Sequence, residues 1–165
     1  MVNLFKSKLL IQSLLFSFLL LFSACSLHNY KHSTSKVITI KTPLLKFSDL
    51  AYLKQDEESL RMELFVAGKN VQNIEINYLI CVDEGCMSKK AFNKRFLSEA
   101  YPEEILKNII LGYKIFHAQN LLKTAQGFEQ KIENNRVNIT YRVSQQEIYF
   151  KDKKNHILFK IKDIN

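Results

Sequence analysis

Tryptophan is missing from this 165-residue chain, proline occurs only twice, glycine four times and cysteine three times. So little proline and glycine leaves no proline- or glycine-rich linker, and the chain shows no repeat or low-complexity segment. Three scattered cysteines and four histidines exclude a zinc module, which needs four such ligands close together. His117 and His156 stand alone, and His28 and His32 fall in a polar stretch near the start. Neither G-x-S-x-G nor H-E-x-x-H nor a phosphate loop is present, and Asp56, Glu57 and Glu58 form a charged run of the kind that is normally solvated. No catalytic set, metal site or cofactor site is therefore expected.

Negative charge is also scarce. The formal net charge is +8, and setting aside Lys6 and Lys8 lowers it to +6. From Lys36 to Lys162 the basic residues are spread without a dense block. That spacing describes a solvated alternating face and argues against nucleic acid as a partner.

Long apolar runs are absent except at the start, where Lys6 and Lys8 precede an apolar stretch over 9–22 and then Ser23 and Ala24. This is the layout of a secretory signal, and it falls short of the roughly 20 residues that cross a bilayer. The run Leu21-Phe22-Ser23-Ala24-Cys25 resembles the lipobox of bacterial lipoproteins. An ordinary secretory signal followed by a chance cysteine is the bland alternative, since Phe22 stands where the lipobox usually has leucine. The resemblance implies a signal peptide over 1–24, diacylglycerol on the Cys25 thiol and an acyl chain on its new amino group. Each buried methylene of such chains contributes about 0.8 kcal/mol, so two or three chains anchor the protein lastingly. Ser26 follows the cysteine where lipoproteins kept at the inner membrane often have aspartate. The implied destination is the outer membrane, facing the periplasm in preference to the cell surface. A tether over 25–35 would lead to one domain over 36–165, a size at which a chain buries a proper core.

Period-two alternation of apolar and polar residues predicts strands over 36–41, 44–53, 60–66 and 74–80, with charged or glycine-containing turns between them. The period then changes. Ala91, Phe92, Phe96 and Leu97 share one helical face over 88–100 with Ser88 as N-cap, and a second helix is predicted from Pro102 to a stop at Gly112. Alternation returns over 127–132, 137–143, 148–150 and 157–164. The expected class is α+β: an antiparallel, incompletely closed β-barrel or strongly curved sheet covered by two or three helices. Cys81 and Cys86 flank a four-residue turn and, in an oxidising compartment, are expected to form a disulfide that fixes that turn.

A lipid anchor, an antiparallel sheet and an intervening helical pair are similar to the LolA/LolB class of periplasmic lipoprotein carriers and receptors. Gly127-Phe128-Glu129-Gln130, Ile139-Thr140-Tyr141 and Ile157-Leu158-Phe159-Lys160-Ile161 resemble the closing strands of that class. The chain also resembles the MapA-like group of small outer-membrane lipoproteins. The first resemblance implies a monomer with an apolar cavity for acyl chains, which receives acylated cargo from a periplasmic carrier without making or breaking bonds. Candidate cavity residues are Leu60, Met62, Leu64, Ile74, Ile76 and Tyr78 on the sheet and Ile105, Ile109 and Ile110 on a helical lid, though an ordinary filled core would use the same side chains. LolB exposes an apolar side chain between early strands, whereas the turns over 54–58 and 67–70 are polar here, leaving Lys54 and Lys69 to approach anionic headgroups. The alternative is a non-catalytic envelope-assembly or adhesion module, with a filled core and a protein-binding face.

Overall fold

Alternation of buried and exposed side chains runs along nearly every strand and sets the architecture. In a computed structural model describing residues 30–164, the first six strands are β1 (His32–Lys41), β2 (Lys46–Gln55), β3 (Leu60–Val66), β4 (Lys69–Ile76), β5 (Ile80–Val82) and β6 (Gly85–Met87). Helices α1 (Lys89–Phe96) and α2 (Ile105–Leu111) and a single 3-10 turn, Phe116–Ala118, follow. Strands β7 (Leu121–Thr124), β8 (Gly127–Glu133), β9 (Asn138–Ser144), β10 (Glu147–Asp152) and β11 (Ile157–Asp163) complete the chain. Cys25 and the signal peptide expected over 1–24 lie outside the described residues.

All eleven strands join one antiparallel sheet in the order β6-β5-β4-β3-β2-β1-β11-β10-β9-β8-β7. Each half is a meander of hairpins, and the pairing of β1 with β11 welds the halves together. The two edges are β6 and β7, so the sheet is not closed, and the helices occupy the chain between those edges. Leu60, Met62 and Leu64 of β3, Ile139 and Tyr141 of β9, and Ile157, Phe159 and Ile161 of β11 share one core with Phe92, Ile105, Leu106, Ile109 and Ile110 of the helices. Every buried apolar side chain among the described residues lies between Ile38 and Ile161, so the region carries its own core.

Three expectations are corrected. The folded part begins at His32 rather than Lys36, because His32 to Ser35 pair with Gln55 to Tyr52 of β2. Helix α1 stops at Phe96, and α2 starts at Ile105 rather than Pro102. Leu97 and Tyr101 stay buried, but from a turn. Tyr78 is not on the inner face. Strand β4 ends at Ile76, Asn77 and Leu79 close a tight turn on each other, and Tyr78 at its tip is 90% exposed.

Local chemistry explains the helix ends. The Ser88 hydroxyl accepts a hydrogen bond from the Ala91 amide and caps α1. Helix α2 ends on Gly112 at φ 70°, and the Tyr113 amide returns to the Asn108 carbonyl. The buried Tyr141 phenol, held above its usual range by burial, lies 2.9 Å from the Tyr113 carbonyl and ties this helix end to β9.

Candidate functional site

A cavity of about 120 Å³ opens between α1 and the first half of the sheet. The sheet supplies Ile40 of β1, Met62 of β3, Ile74 of β4, Val82 of β5 and Phe159 of β11. Phe92 and Phe96 of α1, Leu97 just beyond it and Leu106 of α2 form the roof. Thr42, Leu44 and Leu45 of the β1–β2 turn and Glu84 of the β5–β6 turn stand at the rim. Leu44 is 62% exposed there, and Gln72 of β4 joins Thr42 and Glu84 as a polar side chain of the lining.

The sequence dictates each wall. Met62 and Ile74 are register partners on adjacent strands, so their side chains rise from the sheet together. Pro43 ends β1, and the Thr42 hydroxyl accepts hydrogen bonds from the Leu44 and Leu45 amides, which fixes the turn that carries Leu44 outward. Cys81 and Cys86 are register partners across β5 and β6 and form the expected disulfide, with Val82 and Glu84 inside the closed turn. Two residues beyond Cys86 the chain enters α1 at its Ser88 cap. The other end of α1 is held by Asn93, whose amide donates to the Pro102 carbonyl at 2.9 Å. Lys89 and Glu104 add an ion pair at 2.6 Å between the start of α1 and the start of α2.

Of the nine candidate cavity residues, Met62 and Ile74 line this space. Leu60, Leu64, Ile76, Ile105, Ile109 and Ile110 are buried in filled core, and Tyr78 is outside it. Phe92, Phe96, Leu97, Leu106, Val82 and Phe159 were not singled out for a cavity. Their apolar character was legible, but their convergence depends on where α1 stops. Lys54, expected to face headgroups, is instead paired with Glu63 at 2.8 Å.

The polar side chains lining the cavity are Thr42, Gln72 and Glu84, with no histidine, cysteine or lysine among the lining residues. The fully buried carboxylate, Asp152, lies elsewhere and is saturated by hydrogen bonds from Tyr101, Asn138, Lys154 and Asn155. No group of three or more metal-ligating side chains occurs among the described residues, and no described helix is long and apolar enough to cross a membrane. The geometry therefore defines an open antiparallel sheet with a small apolar cavity under a short helix. No family model matches the chain, and no curated protein or solved structure is significantly similar to it.

Proposed function

We infer that the protein is an outer-membrane lipoprotein, anchored through Cys25, that receives acyl chains in the cavity under α1 in the manner of a LolB-type receptor. The observation that carries this reading is a mainly apolar cavity under α1, in which Thr42, Gln72 and Glu84 are the polar side chains of the lining. Alkyl chains offer no hydrogen bonds, so a mainly apolar wall suits them. At about 120 Å³ the space compares with the roughly 150 Å³ cavity that takes up benzene and falls below the roughly 300 Å³ at which small-molecule sites begin. It therefore holds the end of one chain. The envelope-assembly or adhesion reading draws support from Leu122, 65% exposed on the edge strand β7.

The test uses the chain from Ser26 onward with a fluorescent fatty acid, followed by a carrier loaded with acylated lipoprotein. Ile109 is unsuited to substitution, being fully buried in filled core. Val82→Trp and Leu45→Trp act on half-buried walls instead, and blocking about two methylenes of chain should weaken uptake about tenfold. Failure of the unaltered protein to take up probe or cargo overturns this reading and favours the interaction module.

A further inference from the structure

The outer face of the four adjacent strands β10, β11, β1 and β2 carries positive charge that folding does not require. Register aligns its outward side chains in rows. The row nearest the β1–β2 turn is Lys151, Leu158, Lys41 and Lys46. The next is Tyr149, Lys160, Thr39 and Ser48, and the third is Glu147, Lys162, Val37 and Leu50. These twelve positions hold five lysines and one carboxylate. Glu147 is shared, 3.5 Å from both Lys160 and Lys162. Lys41, Lys46 and Lys151 have no ion-pair partner among the described residues.

Lys41 and Lys46 stand directly opposite one another, an arrangement that destabilises a strand pair. Apolar side chains lie among the ammonium groups, with Val37 43% exposed and Leu158, Tyr149 and Leu50 half-buried. Charges set at strand spacing across a face, rather than converging on a point, match a surface of many phosphates better than a single acidic group. Lysine stems rest along apolar matter while their heads reach charged oxygens, which suits the headgroup layer of a bilayer. The chain's course agrees. Strand β1 runs through the middle of this face and begins at His32, seven positions after Cys25. A tether of that length reaches at most about 25 Å, so an anchor at Cys25 would hold the His32 end of the face near the membrane, with Lys41 about 30 Å further along β1.

We propose that this face docks on an anionic lipid surface, with Lys41, Lys46 and Lys151 on headgroup phosphates. The inference rests on the sheet and is independent of the cavity. The test is co-sedimentation of the chain from Ser26 onward, which lacks the anchor, with vesicles of phosphatidylcholine alone or mixed with phosphatidylglycerol. The unaltered protein should prefer the anionic vesicles. A lysine at such a surface is worth roughly fivefold in partitioning, so Lys41→Gln/Lys46→Gln/Lys151→Gln should lose about 100-fold, while Lys90→Gln/Lys114→Gln/Lys123→Gln, with the same change in net charge, should lose about twofold. No preference for anionic vesicles, or equal losses in the two triple variants, overturns the proposal.

Discussion

The phenol of Tyr101 donates a 2.7 Å hydrogen bond to the carboxylate of Asp152, joining the turn between the two helices to the end of β10. Asp152 is fully buried. Its Oδ1 accepts from the amides of Asn138 and Lys154, and its Oδ2 from the Asn155 side chain. One carboxylate therefore fixes the β10–β11 turn, the start of β9 and the approach to α2. Burial pushes the Asp152 carboxyl up, but the hydrogen bonds from Asn155, Asn138 and Tyr101 prevail and hold it below the usual carboxylate range. Burial, and then Asp152 itself, holds the Tyr101 phenol far above its usual range.

A carboxyl with a depressed folded-state pKa contributes stability that is present above its unfolded value and is lost as pH falls through the folded value. The thermal midpoint should thus be level through neutral pH and fall below about pH 4, as Asp152 takes up a proton. Asp152→Asn should lower the neutral plateau by about 2 kcal/mol, because its amide would face the Tyr101 hydroxyl and the Asn155 amide. It should also flatten the acid limb. Thermal melts of both proteins from pH 3 to pH 8 check this, and an unchanged acid limb in the variant would remove Asp152 from the account.

Gln130 should prove a clamp on the least regular segment. It is fully buried, accepts from the Ile115 amide at 2.9 Å and donates to the carbonyls of Ile115 and Gln119 at 3.0 and 2.8 Å. Between those anchors Phe116, His117 and Ala118 have φ of 46°, 53° and 62°, a left-handed run costly for residues with a Cβ. Gln130→Leu keeps the bulk and strands the Ile115 amide and the Gln119 carbonyl, while the Ile115 carbonyl still accepts from the Ala118 amide, so it should cost about 3 kcal/mol. Hydrogen exchange should accelerate at residues 115–120 before it does in β9 or β10.

Loss of the disulfide should be felt locally. A loop as short as that between Cys81 and Cys86 gives about 2 kcal/mol on the chain-entropy account. The bonded turn carries Val82 and Glu84 of the cavity and leads into α1. Cys81→Ser/Cys86→Ser should therefore raise amide exchange in α1 and speed probe entry, while Tyr101 and Tyr141 at the other half stay protected. Uniform exchange throughout the domain would show that the bond acts globally.

Legibility in the sequence followed length and alternation. Residues 60–66, 137–143 and 157–164 alternate cleanly because one side meets the core and the other water, and all three became strands. Strands β5, β6 and β7 have three, three and four residues, too few for a period to register. His32 to Ser35 are exposed on both sides, so their pairing with β2 left no apolar mark. The helices read too long because Leu97 and Tyr101 keep an apolar face through a turn, where Leu97 borders the cavity and Tyr101 packs edge-on against Phe150 rather than in a helical stripe. Leu60, Met62 and Leu64 share one strand and one face, yet only Met62 borders the cavity. The lysine face was invisible for another reason: Lys41 and Lys151 are neighbours only once β11 has returned to β1, with Leu158 between them.

The opposition of Lys41 and Lys46 leads to a last prediction, in which stability and binding should move in opposite directions. Lys46→Glu replaces a like-charge cross-strand pair with an opposite-charge pair at an exposed position, a change worth roughly 0.5–1 kcal/mol in favour of the fold. The same substitution removes one cation from the outer face and adds an anion, so binding to phosphatidylglycerol vesicles should fall by more than one lysine's share of roughly fivefold. Urea melts and vesicle co-sedimentation on the same preparation read the two effects. A variant that is both less stable and weaker in binding would trace the loss to a damaged β1–β2 hairpin. One that is more stable and binds equally well would show that Lys46 does not touch the lipid surface.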